Sequence, residues 1–346
     1  MMLSSRWCLV LGWLCCSLWP TISDAQEPSL AIISVNNAAH LQRISTLPKR
    51  ASLILRGPER GQLTLLDWNR KVEVVDELSL TSIPVLAAER RPIDIALCPA
   101  GDFVVWTERD QTSYTVESFS DRTSIQIEVG DDPGHAAVSP DGKLIAIGQT
   151  LWDPKTEGAG SSRMRLYDKS GTVVREFESC EPGALSPVFS PDGKVLAVGN
   201  RNGVTRMFEI SSGKLLHVMD KEMTHAIAFS PDGTKLAAGY VDGSVALWNV
   251  STGELLNSKP SGCREVLSLD WSPQGDVLAT CGHDGKTVLW NTTNLEELWS
   301  VDIARVVLQV RFTSDGTRLL SSSATDAYAK EGRMISVWTV PEAVSN

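Results

Sequence analysis

The residues that could do chemistry are few in this sequence and stand far apart. Five histidines show no spacing typical of metal ligands: His40, His135, His217, His225 and His283. The triplet Gly282-His283-Asp284 joins an imidazole to a carboxylate, but its position between two apolar runs indicates a turn. The sequence contains no Gly-x-Ser-x-Gly, His-Glu-x-x-His or Gly-x-x-x-x-Gly-Lys motif. We therefore predict no catalytic residue, no metal site and no cofactor.

The cysteines allow two interpretations. Outside the N-terminal apolar segment they are Cys98, Cys180, Cys263 and Cys281. None stands in Cys-x-x-Cys spacing, so a zinc site is not expected. An oxidising compartment would allow a disulfide between Cys263 and Cys281, the nearest pair in sequence. We favour burial of the cysteines as small apolar side chains, and whether this pair forms a disulfide stays open.

A turn motif repeats along most of the chain. Ser-Pro-Asp-Gly occupies 139–142, 190–193 and 230–233, and weaker copies occupy 98–101, 272–275 and 313–316. The steps between successive copies are 41, 51, 40, 42 and 41 residues. Proline, aspartate and a left-handed glycine favour a tight chain reversal, and alternating apolar runs flank each copy. The motif therefore predicts a β-hairpin in every repeat.

Further signals complete each repeat as four strands. An Asp-Gly turn follows at 242–243 and 284–285, then a third apolar run that ends in Trp-Asn, and a turn into a fourth strand. Four short antiparallel strands about every 41 residues make one blade of a propeller. We place the third-strand aromatic residue at Trp68, Tyr167, Phe208, Trp248, Trp290 and Trp338, with Ser118 as a polar substitute. The sequence therefore predicts an all-β, seven-bladed β-propeller of four-stranded antiparallel blades.

The ends and the insertions add detail to this architecture. Too few residues follow Trp338 for an outer strand, and 41–47 form a spare strand, so we expect the N-terminal strand to close the ring on the last blade. The 51-residue step indicates an extra loop at 152–162 in the third blade. A similar insertion occupies 324–332 in the seventh blade, and both fall between second and third strands.

The turn motif, the Asp-Gly turn and the Trp-Asn ending together resemble the WD-repeat family between residues 97 and 338. The resemblance implies a protein-binding scaffold. It also implies a buried hydrogen-bonded set in each blade, made of a His, a Ser or Thr, an Asp and the Trp. Matching residues are Asp242 and Trp248 in one blade, and Thr280, Asp284 and Trp290 in the next. The His is missing, since Cys263 stands near its place, and the set has a structural role.

The N-terminal segment and the overall charge bear on location. Residues 1–25 combine Arg6, an apolar run at 7–19 and small residues before 26, which is typical of a cleaved signal peptide. The run is too short to span a bilayer. We expect a mature propeller at 26–346, exported to the bacterial periplasm, with secretion as the alternative. A net charge of -10 and a pI near 5.1 argue against a nucleic-acid partner.

We therefore expect a non-catalytic, monomeric protein-interaction scaffold outside the cytoplasm. The candidate partner-binding residues lie in the two insertions: Trp152, Asp153, Lys155 and Glu157, and Tyr328, Lys330, Glu331 and Arg333. The alternative hypothesis is a propeller enzyme or small-molecule binder that uses the central channel. Asp94, Asp270 and Arg311 of the predicted first strands are its candidate residues, and balanced structural charges are the other interpretation of these three.

Overall fold

The computed structural model describes residues 30–341 except 48–50, 57–60, 68–71, 80–81, 84–91, 100, 109–111, 122, 131–132, 154–157, 178–184, 201–203, 221, 304 and 325–333. These residues form 29 β-strands and one short 3-10 helix, Ala38–His40. The predicted signal segment at 1–25 lies outside the described residues.

Six sheets of four antiparallel strands, in chain order, form the first six blades. The first blade consists of β3 (Ala51–Arg56), β4 (Gln62–Asp67), β5 (Val72–Asp76) and β6 (Ser82–Ile83). The second blade consists of β7 (Pro92–Leu97), β8 (Phe103–Glu108), β9 (Ser113–Ser118) and β10 (Ser124–Glu128). The third blade consists of β11 (Pro133–Val138), β12 (Leu144–Asp153), β13 (Gly158–Asp168) and β14 (Val173–Glu176). The fourth blade consists of β15 (Leu185–Phe189), β16 (Val195–Asn200), β17 (Val204–Glu209) and β18 (Leu215–Asp220). The fifth blade consists of β19 (Thr224–Phe229), β20 (Lys235–Tyr240), β21 (Ser244–Asn249) and β22 (Leu255–Pro260). The sixth blade consists of β23 (Val266–Trp271), β24 (Val277–Gly282), β25 (Lys286–Asn291) and β26 (Glu297–Asp302).

The seventh blade joins the two ends of the described chain. It contains β27 (Val306–Phe312), β28 (Arg318–Ala324) and β29 (Met334–Pro341), with β1 (Leu30–Ala31) and β2 (Gln42–Leu47) at its outer edge. β2 runs antiparallel to β29, from Gln42 opposite Thr339 to Leu47 opposite Ile335. The seven blades and the closing N-terminal strand predicted from the sequence are thus confirmed.

The repeated turn is shaped by its own side chains. In the third blade the Ser139 hydroxyl donates to Asp141 Oδ1 at 2.7 Å and accepts from the N–H of Leu144 at 2.9 Å. Gly142 has a φ of 67°, which favours glycine, and donates its N–H to the carbonyl of Ser139. The same serine and aspartate bonds recur in the fourth and fifth blades. The same local bonds therefore shape the first hairpin of these three blades.

The core is divided among the junctions between blades. Seven apolar clusters each lie between two neighbouring blades. At the junction of the first and second blades, Leu55 packs against Ile95 and Val104. Ile54 and Leu320 belong to the cluster between the first and seventh blades. Seven clusters for seven junctions show how burial of apolar surface holds the ring together.

Two details differ from the sequence prediction. Trp68 is predicted in a third strand but lies outside the described residues, and the third strand of the first blade is β5, which begins at Val72. The segment 152–162 was predicted as a loop, but β12 and β13 extend through most of it as a paired hairpin. Backbone pairing therefore continues through most of the insertion.

Candidate interaction surface and central strands

The antiparallel order of the blades gives the ring two distinct faces. We call the face with the first-to-second and third-to-fourth turns of each blade the turn face. The opposite face, with the second-to-third turns and the connections between blades, is the connection face. Both sequence insertions fall between second and third strands, whose adjoining ends lie on the connection face.

The third blade carries an extended hairpin on this face. Its second strand has 10 residues, whereas β16, β20 and β24 have 6 each. Four extra residues at about 3.3 Å each add roughly 13 Å of paired strand. Pairing continues to Trp152 opposite Ala159 and to Asp153 opposite Gly158, with a register shift after Thr150. The structure therefore places Trp152 and Asp153 on a regular element.

A charged cluster supports the base of this hairpin. Glu176 of β14 receives the Arg163 Nε at 3.3 Å on one carboxylate oxygen and the Arg165 Nε at 2.7 Å on the other. Burial acts to lower the pKa of Arg165, but the hydrogen bond to the Glu176 carboxylate and the negative charge of that group act against it, and the pKa is raised. Two guanidinium groups thus fix the fourth strand of the blade to the hairpin.

The other predicted partner-binding residues lie outside the described residues. Lys155 and Glu157 fall between β12 and β13, and Tyr328, Lys330, Glu331 and Arg333 fall between β28 and β29. Their flanking strands are paired on the connection face. The third and seventh blades are separated by two blades on one side and three on the other, so the two insertions do not share one blade junction.

The charged residues of the central strands join neighbouring blades. Asp270 of β23 accepts the N–H of Phe312 at 2.8 Å and the Arg311 guanidinium at 3.0 Å, both from the seventh blade. Arg311 also donates to the carbonyl of Ile54 in the first blade. One carboxylate and one guanidinium therefore connect three successive blades.

Asp94 of β7 makes the corresponding connection between the second and third blades. It accepts the N–H of Ala136 at 2.8 Å and lies 3.1 Å from His135 Nδ1. The Tyr114 hydroxyl donates to the same carboxylate at 2.9 Å, and burial, with the Asp94 charge, raises the pKa of this tyrosine. Asp94, Asp270 and Arg311 therefore have structural partners in adjacent blades, in line with the second interpretation of these charges.

The third-strand tryptophans use partners that differ between blades. Trp290 Nε1 donates to Thr280 Oγ1 at 2.9 Å, and Trp338 Nε1 donates to Ser321 Oγ at 2.9 Å. Thr280 and Ser321 each lie two residues after the residue that pairs with the tryptophan. In the fifth blade that position is Ala238, and Trp248 donates to the Tyr240 hydroxyl instead. Ser321 and Tyr240 were not predicted from the sequence. The same two-residue offset along the second strand, measured from the residue that pairs with the tryptophan, identifies Ser321.

The two aspartates of the expected buried set lie elsewhere, which corrects that expectation. Asp284 is exposed and accepts the N–H groups of Arg264 and Lys286 at 3.0 and 3.3 Å. Asp242 is also exposed and accepts the N–H of Ser244 at 2.7 Å. Both carboxylates therefore cap backbone groups of turns and do not bond to the tryptophans.

One cluster that sequence reasoning missed joins the fifth and sixth blades on the connection face. Glu265 places one carboxylate oxygen 2.5 Å from His225 Nε2 and the other 3.4 Å from His283 Nε2. Among the described residues, no group of three or more His, Cys, Asp or Glu side chains has the arrangement of a metal site. The Glu265 carboxylate thus links His225 of the fifth blade to the sixth blade.

The described cysteines are buried free thiols, namely Cys98, Cys263 and Cys281. Burial raises the pKa of Cys263 and of Cys281. Both thiols are therefore protonated near neutral pH, which makes them poor nucleophiles. Cys180 lies outside the described residues.

Comparison with protein families gives two matches. The model described as the Vps8 beta-propeller matches residues 170–265, and the model of the WD domain, G-beta repeat, matches residues 254–291. A comparison with curated proteins finds no match. In the described part of the chain, no helix has the length and apolar character that a membrane crossing requires.

Proposed function

We propose that this chain, which belongs to the WD-repeat β-propeller family, is a non-catalytic protein-interaction scaffold that works outside the cytoplasm. Propellers of this family generally mediate protein–protein interaction, and they typically do so without catalysis. The central charged residues support a structural role, because Asp270, Arg311 and Asp94 bond to neighbouring blades. Within the described ranges, these contacts of the three residues are to neighbouring blades and give no specific support to a ligand in the central channel.

The extended hairpin of the third blade is the observation that carries this proposal. A paired hairpin loses less conformational freedom on binding than an irregular loop, because its backbone is already ordered. Its base is fixed by Glu176 between Arg163 and Arg165. A partner that docks on the hairpin would contact positions 152, 153, 155 and 157, and the seventh-blade insertion would provide a second contact region.

The proposed location rests on the N-terminal sequence. Residues 1–25 have the charged start, the apolar run and the small residues of a cleaved signal. We infer export to the periplasm, with Gln26 as the first residue of the mature chain. N-terminal sequencing of the protein from fractionated native cells tests this location, and a cytoplasmic protein that retains Met1 would contradict it.

Site-specific photocrosslinking tests the proposed binding site. A photoreactive phenylalanine at position 155 is compared with the same group at Asp242, an exposed residue in the short second-to-third turn of the fifth blade. We expect a discrete crosslinked partner from position 155 that is absent from position 242. Identical products from both positions, or no product from position 155, would contradict a role for the hairpin in binding.

A further inference from the structure

A half-open cleft lies between the second and third blades on the turn face. It encloses about 650 Å³, within the range typical of ligand pockets. The second blade supplies nine of the ten lining residues, among them Asp102, Phe103, Val116, Ser118 and Ile125, and the third blade supplies Lys169. The cleft is on the opposite face of the ring from the third-blade hairpin.

The residue directly after each third strand shows how other junctions are filled. In the fourth blade this residue is Ile210, which packs into the cluster between the third and fourth blades. In the fifth blade it is Val250, which packs into the cluster between the fourth and fifth blades. Thr292 has this position in the sixth blade and is only 4% exposed. Each of these residues donates its N–H to the first turn of its own blade.

The third blade has Lys169 at this position. Its ammonium lies 3.1 Å from Asp102 Oδ2 and 4.9 Å from the centre of the Phe103 ring. The side chain is about half exposed, so the charged group stays at the mouth of the cleft. The fourth and fifth blades therefore have an aliphatic side chain at this position, packed against the preceding blade. The third blade has a cation there, and the cleft lies beside it.

The walls of the cleft combine apolar and polar groups. Phe103 and Val116 are buried beneath it, and Ile125 is partly buried. Hydroxyl groups of Ser118 and Ser120 lie 3.1 Å apart at its edge. Such hydroxyls can donate to or accept from a peptide backbone, while the apolar floor is suited to a hydrocarbon side chain.

We propose that this cleft binds a peptide segment of a partner protein by taking up one branched aliphatic side chain. Ile210 and Val250 support this side-chain class, because they fill the equivalent junctions within the same chain. The volume exceeds what one side chain needs, which leaves room for the flanking peptide beside the hydroxyls and the Lys169–Asp102 pair. The proposal rests on the protein-binding function but assigns a second, separate site to it.

Peptide selection against the full chain provides the test. A phage-displayed library of random dodecapeptides is selected on the wild-type protein, and the affinity of one enriched synthetic peptide is then measured by calorimetry. We expect an Ile, Val or Leu at one common position of the enriched sequences. The substitution Lys169→Ile introduces the aliphatic side chain that the fourth blade has at this position. It is expected to lower the affinity for the peptide at least tenfold without lowering the melting temperature of the protein.

Lys143→Ile is the matched control, because Lys143 is an exposed lysine in the first turn of the same blade. It is expected to leave the peptide affinity unchanged. If Lys169→Ile does not fold, Ile125→Phe fills the cleft from the second blade and should weaken the peptide equally. No aliphatic enrichment, or equal affinity in a folded filled-cleft variant, would overturn the proposal. A partner crosslinked at position 155 would still support the hairpin site, so the two failures are distinguishable.

Discussion

The N–H of Ile33 donates to the carbonyl oxygen of Gly316 at 2.9 Å, and this bond ties the segment before β2 to a turn of the last blade. The side chain of Ile33 is fully buried between the sixth and seventh blades, together with Ala38 and Leu41. The N-terminal segment therefore closes the ring in two ways. It supplies β2 to the sheet, and it fills the outer part of an interblade junction.

The first prediction concerns this closing segment. Ile33→Ala should lower the free energy of unfolding by about 2–5 kcal/mol, because it leaves a cavity in a packed cluster. Ile32→Ala is the matched control, since Ile32 is 48% exposed, and it should change stability by less than about 0.5 kcal/mol. Urea denaturation measures both. Equal effects of the two substitutions would show that the segment does not stabilise the junction.

Much of the fold could be predicted because its determinants are local. The serine and aspartate of each repeated turn bond to one another within a few residues, so the motif reports the hairpin directly. Trp68-Asn69 has the same local form as the later third-strand endings, yet the first blade's third strand is Val72–Asp76. A two-residue ending without its surrounding turns was too little evidence for a strand position.

The contacts between blades were harder to predict. His225, Glu265 and His283 are far apart in sequence and meet because two blades align their connection faces. That alignment depends on strand register and blade twist, which the repeat length does not specify. The sequence alone shows that Lys169 is unusual, because an alignment of the repeats places it at the position of Ile210 and Val250. The consequence of that difference, an open cleft, required the structure.

A second prediction concerns the buried tryptophan bond. Thr280→Val should destabilise the protein by about 1–3 kcal/mol, because the Trp290 N–H loses its acceptor in a buried site. Thr287→Val is the matched control on the adjacent strand. Thr287 is fully buried and its hydroxyl has no hydrogen-bond partner among the described residues, so this change should be neutral or stabilising. Denaturant unfolding compares them, and a larger loss for Thr287→Val would refute the assignment.

A third prediction is a dependence of stability on acidity. In three repeated turns a serine hydroxyl holds the pKa of an aspartate below its usual 3.8; the pairs are Ser139 with Asp141, Ser190 with Asp192, and Ser230 with Asp232. A lowered folded-state pKa contributes stability above the unfolded pKa, and this contribution is lost as the pH falls through the folded value. Replacing the three aspartates by asparagine should therefore flatten the decline in unfolding free energy below about pH 4.

Urea titrations between neutral pH and the acid limit of folding measure this slope. The triple variant should be less stable than the wild type at neutral pH, and the difference should shrink in acid. If the unfolding free energy of the triple variant falls with pH as steeply as that of the wild type, other carboxylates dominate acid unfolding.

A fourth prediction follows from Leu295, which has a φ of 53° and is the one non-glycine residue with positive φ among those described. Its N–H donates to a carbonyl four residues earlier, as do those of Gly213 and Gly253. Leu295 is also fully buried. Loss of its side chain should destabilise the protein, but Leu295→Gly should be less harmful than Leu295→Ala by about 1 kcal/mol, because glycine relieves the left-handed backbone.

The reverse order is expected at Leu289, a buried residue within β25. There Leu289→Gly should be worse than Leu289→Ala by about 0.5–1 kcal/mol, since glycine costs more backbone entropy in a strand. Thermal unfolding of the four variants tests the inversion. The same order at both positions would indicate that the backbone at Leu295 carries no strain.

Replacement of the third-blade hairpin tests most directly whether this propeller is a protein-binding scaffold. Residues 150–162 are exchanged for Val-Asp-Gly, the turn that follows β20 in the fifth blade. The tagged wild type and variant are each used to capture partners from an extract of the native organism, with quantitative mass spectrometry and a melting curve for each. We expect a specific partner that the wild type enriches to be lost from a variant that still melts cooperatively. Capture of the same partners in the same amounts by the folded variant would contradict it.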